Sequence, residues 1–82
     1  MKVSVRVFPI EGMCSQSQDL DMTLEEGSFG EVLTFLQMRF DVTMDKLESL
    51  MFLHNGYGLD RRKNVVFHDG DQLWLLPLLS GG

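Results

Sequence analysis

The chain has 82 residues, 44 % of them apolar and 23 % charged, the balance of one small globular domain with room for a single modest core. Seven Lys and Arg against twelve Asp and Glu give a formal net charge of −5, so the cationic footprint that neutralises the phosphates of a nucleic acid is missing and a basic protein partner is favoured. The single cysteine excludes an internal disulfide and a four-cysteine iron–sulfur centre, and no apolar run approaches the roughly 20 residues that cross a bilayer.

Lys2 to Phe8 alternates, with Val3, Val5 and Val7 on one face and Ser4 and Arg6 on the other, the period of a half-buried strand that Pro9 closes. A strand at the start, in place of a basic segment followed by an apolar run, is expected of a cytoplasmic protein. After the polar segment Glu11 to Ser17, which holds Cys14 as a loop thiol with no neighbouring base, the alternation of Leu20, Met22 and Leu24 predicts the second strand of a hairpin. Gly27 interrupts the pattern, and Ser28 with Glu31 forms a capping box announcing a helix. Phe29, Val32, Leu33, Leu36 and Phe40 follow at helical spacing as a core-facing stripe, widened by Phe35 and Met38. Gly30 makes its first turn the weak point.

Thr43 to Glu48 predicts a short helical turn, and Leu50 to Leu53 a brief strand ending at the hairpin signal His54-Asn55-Gly56. Arg61-Arg62-Lys63 is a basic run in a loop, solvated or available for docking. Val65 to Phe67 reads as a minor strand, Asp69-Gly70-Asp71 as a turn, and Gln72 to Pro77 as the last strand. The plan is α+β, a mixed sheet packed on one main helix. The last strand is apolar on both sides, Leu73 and Leu75 on one, Trp74 and Leu76 on the other. With only one main helix to cover the sheet, Trp74, Leu76 and Leu53 are expected to form an exposed apolar patch for a partner.

Catalytic and metal chemistry is not marked in the residues. His54 and His68 lie at turn margins without metal-ligand spacing and are expected at the surface, no Ser, His and Asp arrangement stands out, and no glycine-rich stretch has a phosphate-loop pattern. The last residues are Leu78-Leu79-Ser80-Gly81-Gly82. Two glycines in a row, without Cβ atoms, make an unhindered tail that threads a narrow cleft and presents a carboxylate for attack. The expected division is therefore a domain over 1–77 and a flexible tail over 78–82.

The stretch from Asp69 to Gly82, with its Asp-Gly-Asp turn, apolar strand, short apolar tail and Gly-Gly, resembles the ending of the ubiquitin-like sulfur carriers, the MoaD/ThiS family. That family includes the small subunit of molybdopterin synthase and the thiazole-forming sulfur carrier. The resemblance implies a β-grasp fold and a protein that is a substrate, not an enzyme. The Gly82 carboxylate would be adenylated by a partner activating enzyme that uses ATP, then converted to a thiocarboxylate with sulfur from a donor protein. Gly81 would permit close approach, Leu78, Leu79 and Ser80 would line the activating enzyme's channel, and a synthase large subunit is a further implied partner. The carrier itself would hold no cofactor.

Two departures leave the pathway open between the molybdopterin and thiamine types. Pro9 to Gln18 lacks the Ala, Arg and Glu-bearing segment common in the molybdopterin-synthase subunit, and Leu78 stands where a second tail proline is common. A ubiquitin-like modifier that forms amide conjugates shares the activation step and is the alternative, followed by a non-catalytic β-grasp interaction module.

Overall fold

Alternating valines set the first strand, β1 (Lys2–Val7), whose Val3, Val5 and Val7 are buried while the residues between them are exposed. The structure, a computed structural model, describes residues 1–78. β2 (Gln18–Thr23) runs antiparallel to β1 with Val3 opposite Met22 and Val5 opposite Leu20. Between them Ile10, just before the segment read as polar, is buried and forms a bridge to Cys14 within it, and the Cys14 thiol donates to the Phe8 carbonyl at 3.5 Å.

Helix α1 (Phe29–Phe40) starts at the expected capping box, Ser28 Oγ accepting the Glu31 N–H at 3.2 Å. Glu31 does more than close that box. Its carboxylate accepts the N–H groups of Glu25, Glu26, Gly27 and Ser28 at 2.7–3.4 Å, and these bonds, led by that from Glu25, hold it below the usual carboxylate range. Val32 and Leu36 are buried, and Phe29, Leu33, Phe35 and Phe40 pack on the core's margin. Met38 departs from the expected stripe and is 81 % exposed. It lies about 200° around the helix from Leu36, on the opposite side from the core. Asp41, in the left-handed conformation at φ 53, ends the helix.

Thr43 caps the short helix α2 (Met44–Glu48), which contributes Leu47 to the core. Strand β3 (Met51–His54) begins and ends one residue later than the sequence predicts, because Leu50 is buried in the turn leaving α2. Asn55 and Gly56, at φ 52 and 88, make the tight turn to β4 (Tyr57–Gly58), a strand too short to leave a pattern in the sequence. Val65 to Phe67 is not a strand: Val66 bridges Ser28, and Phe67 is fully buried with its N–H on the Gly27 carbonyl at 2.8 Å.

The last strand, β5 (Gln72–Leu76), enters between β1 and β3, giving the order β2-β1-β5-β3-β4. It is parallel to β1 and antiparallel to β3. Val32 and Leu36 of α1 share one core with Val3, Val5, Leu73 and Leu75, each such side chain stabilising the fold by about 1.5–3 kcal/mol on burial. A mixed five-stranded sheet with one main helix on one face is a β-grasp, ubiquitin-like arrangement. The expected boundary at 77/78 falls at the edge of what is described: β5 stops at Leu76, Leu78 is 58 % exposed, and Leu79, Ser80, Gly81 and Gly82 lie outside the described residues.

Candidate functional site

β5 turns Leu73 and Leu75 into the core, so the pleat sends Trp74 and Leu76 to the face without the helix. Strand register then assembles the patch. Trp74 lies directly between Arg6 of β1 and Leu53 of β3, and Leu76 pairs with Met51. The three residues expected to form the patch, Trp74, Leu76 and Leu53, are therefore together on one face. Trp74 is 38 % exposed, and Leu53 and Leu76 are half-buried.

Two members were missed in the sequence. Met51 is 42 % exposed beside Leu76, and the Phe8 ring lies 5.2 Å from that of Trp74. Met51 alternates with Leu53, which is a legible signal, whereas Phe8 joins only through the parallel pairing of β1 with β5. Arg6 completes the surface, its guanidinium 5.8 Å from the Trp74 ring centre while its Nε donates to Asp19 Oδ1 at 2.8 Å. That hydrogen bond from Arg6 holds the Asp19 carboxyl below its usual range.

The Asp69-Gly70-Asp71 turn fixes where β5 begins. Asp69 Oδ1 accepts the Lys2 N–H at 2.7 Å, the Gly70 N–H donates to the Lys2 carbonyl, and the Ser4 N–H donates to the Asp71 carbonyl at 2.9 Å. The Asp71 carboxylate is the hub of the turn, bound by the His68 N–H at 2.8 Å, His54 Nε2 at 2.7 Å and Asn55 Nδ2 at 3.1 Å. Burial opposes its charge, but those three bonds prevail and lower its pKa to about 2. Asn55 Oδ1 in turn accepts the Gln72 N–H at 2.8 Å, locking the β3–β4 turn to the first residue of β5.

His54 is accordingly not the surface residue expected. Its side chain is 21 % exposed and its ring lies 4.3 Å from that of Phe67, because its partner Asp71 comes from a turn distant in sequence. His68 remains at the surface, 78 % exposed.

The basic run divides by role. Arg61 donates to the carbonyls of Leu47, Glu48 and Leu50 at 2.6–3.3 Å and lies 5.0 Å over the Phe52 ring, so it ties the loop to the end of α2. Arg62 pairs with Asp60 yet is 91 % exposed. Met51, Leu59, Arg61, Arg62 and Leu78 line a shallow groove of about 540 Å³ where the chain leaves β5. Among the described residues no group of three His, Cys, Asp or Glu is placed to hold a metal ion, and no helix is long and apolar enough to cross a membrane.

No protein-family model matches the chain. No curated protein matches its sequence. Among solved structures it is similar to a chain of the protein–protein complex of subunits 1 and 2 of molybdopterin-converting factor from Helicobacter pylori, at 26 % identity and a TM-score of 0.68, covering 100 % of both chains. It is also similar to SAMP1 from Haloferax volcanii, at 16 % identity and a TM-score of 0.75, again over 100 % of both chains, a likeness of fold. Residues 1–78 carry the β-grasp fold of the ubiquitin-like sulfur carriers, whose ending the stretch from Asp69 onward resembles in sequence.

Proposed function

We propose that the chain is a sulfur carrier, activated at Gly82 and docked through the open face of β5. The observation that carries this reading is the joining, in one β-grasp chain, of an apolar face on the last strand to a Gly81-Gly82 stretch beyond it. The full-length likeness to a chain of the molybdopterin-converting factor complex supports it, and also supports a synthase large subunit as a second partner.

A free carboxylate is a poor acyl donor because its leaving group would be oxide. In the proposed first step a Gly82 carboxylate oxygen attacks the α-phosphate of ATP within the activating enzyme, giving an acyl adenylate and releasing pyrophosphate. In the second, sulfur at the sulfide level, supplied by the donor protein, attacks the acyl carbon. The bond from carbon to the adenylate oxygen breaks, AMP leaves with the electron pair, and a thiocarboxylate remains. The carrier supplies the acyl carbon and the reach: four residues beyond Leu78 extend at most about 14 Å. Docking energy comes from the Trp74, Leu76, Leu53 and Met51 surface, at about 25 cal/mol per Å² buried before the costs of association.

The test is carrier-dependent pyrophosphate release from ATP by the source organism's activating enzyme. The intact chain is expected to stimulate release, deletion of Gly82 to abolish it, and Leu76→Asp to weaken it at least about tenfold with the fold retained. Undiminished release with both variants would overturn the proposal.

A further inference from the structure

The sheet has two edges, and they are unequal. β4 is two residues long, too short to template another strand, whereas β2 is a six-residue edge without proline. Met1 and Leu24 exchange both backbone hydrogen bonds, at 2.8 and 2.9 Å. Antiparallel alternation then directs the backbone groups of Met22 and Leu20 to β1 and those of Thr23, Asp21 and Asp19 outward from the sheet. Beside this edge the first turns of α1 leave a groove of about 340 Å³, floored by Leu24 and Phe35 and walled by Thr23 and Thr34.

Gly30 opens that groove, and the fold gives no other reason for a glycine there. Its φ is not positive, and an added Cβ would meet nothing nearer than Ser28 Oγ at 3.9 Å. Charge narrows the choice of occupant. The Asp19 and Asp21 side chains stand on the open face along this edge, Asp19 bonded to Arg6 on its inner side, and Asp21 has no ion-pair partner among the described residues. Pairing of two copies edge to edge would set these carboxylates against each other, which is destabilising.

We propose that the β2 edge and the Gly30 groove take an extended basic segment of a partner protein as an added strand. Lys or Arg side chains sit opposite Asp19 and Asp21, and small apolar side chains opposite Met22 and Leu24 turn into the groove. Main-chain bonds to Asp19, Asp21 and Thr23 hold the segment, and alternate side chains select it. The groove lies on the helix side of the sheet, away from Trp74, while Asp19 and Asp21 border the Trp74 face through Arg6; the proposal does not rest on the sulfur-carrier reading.

Amide NMR of the full chain, titrated with a short capped peptide alternating lysine and valine, tests it. Saturable shifts are expected at residues 18–24 and 30–35, with new exchange protection of the Asp19, Asp21 and Thr23 amides. The same peptide N-methylated at each lysine keeps its charge but loses the N–H groups that would face β2, and is expected to leave them unprotected. Asp21→Lys and Gly30→Met, each folded by its amide spectrum, are expected to weaken binding at least about tenfold. Absence of saturable shifts at β2, equal effects of the methylated peptide, or unchanged affinity in both variants would overturn the proposal.

Discussion

Gly27 and Gly30 open the same helix under opposite constraints. Gly27 has φ +75 and an added Cβ would stand 2.5 Å from the Phe67 carbonyl oxygen, a backbone atom that cannot step aside. Gly27→Ala is expected to cost about 1–3 kcal/mol, seen as a lower urea midpoint at unchanged slope. Gly30 has open space, so Gly30→Ala is expected to raise stability by up to about 1 kcal/mol through helix propensity. Asp71 sets an acid limit. Its pKa is lowered to about 2 from an ordinary 3.8, so its contribution is complete above the ordinary value and is lost as pH falls from there toward 2. With its side chain partly open to solvent, that contribution is on the order of 1 kcal/mol. Denaturation at a series of pH values checks this: Asp71→Asn is expected to flatten the loss of stability between pH 5 and 2.

At the scale of elements, α1 is held by its N-terminal cap as well as by its buried stripe. Ser28→Ala is expected to cost about 1 kcal/mol, measurable as a fall in melting temperature. The start of this helix and most of its stripe were legible because the capping box and the apolar spacing lie within neighbouring residues, where local chemistry decides each, whereas Met38 was read into the stripe and stands outside it. The valines of β1 and the two-sided character of β5 were legible for the same reason. β4 was not, because a two-residue strand exists only through its pairing with β3. Phe67 and His54 were misread for a related reason: Gly27 and Asp71, the groups that bury and bind them, come from elsewhere in the chain. Arg61 looked like one charge in a solvated run, and its role appears only when α2 presents three carbonyls to it.

For the whole molecule, the parallel pairing of β1 with β5 is the decisive contact, joining the first and last strands in the middle of the sheet. It places Phe8 and Arg6 against Trp74 and sets the apolar face beside the point where the chain passes Leu78. Sequence periodicity showed which residues leave the core but not which strand lies beside which, so the patch was read with three members when the face has five. The carrier account makes that face a docking surface and the terminal glycine the reacting group. Its most direct test is the intact mass of the chain after incubation with ATP, the activating enzyme and a sulfur donor, followed by fragmentation to locate any change. A gain of about 16 Da confined to Gly82, absent without ATP, is the expected result, one oxygen having been replaced by sulfur. No gain, a gain located on Cys14, or normal loading of a chain lacking Gly82 would contradict the account.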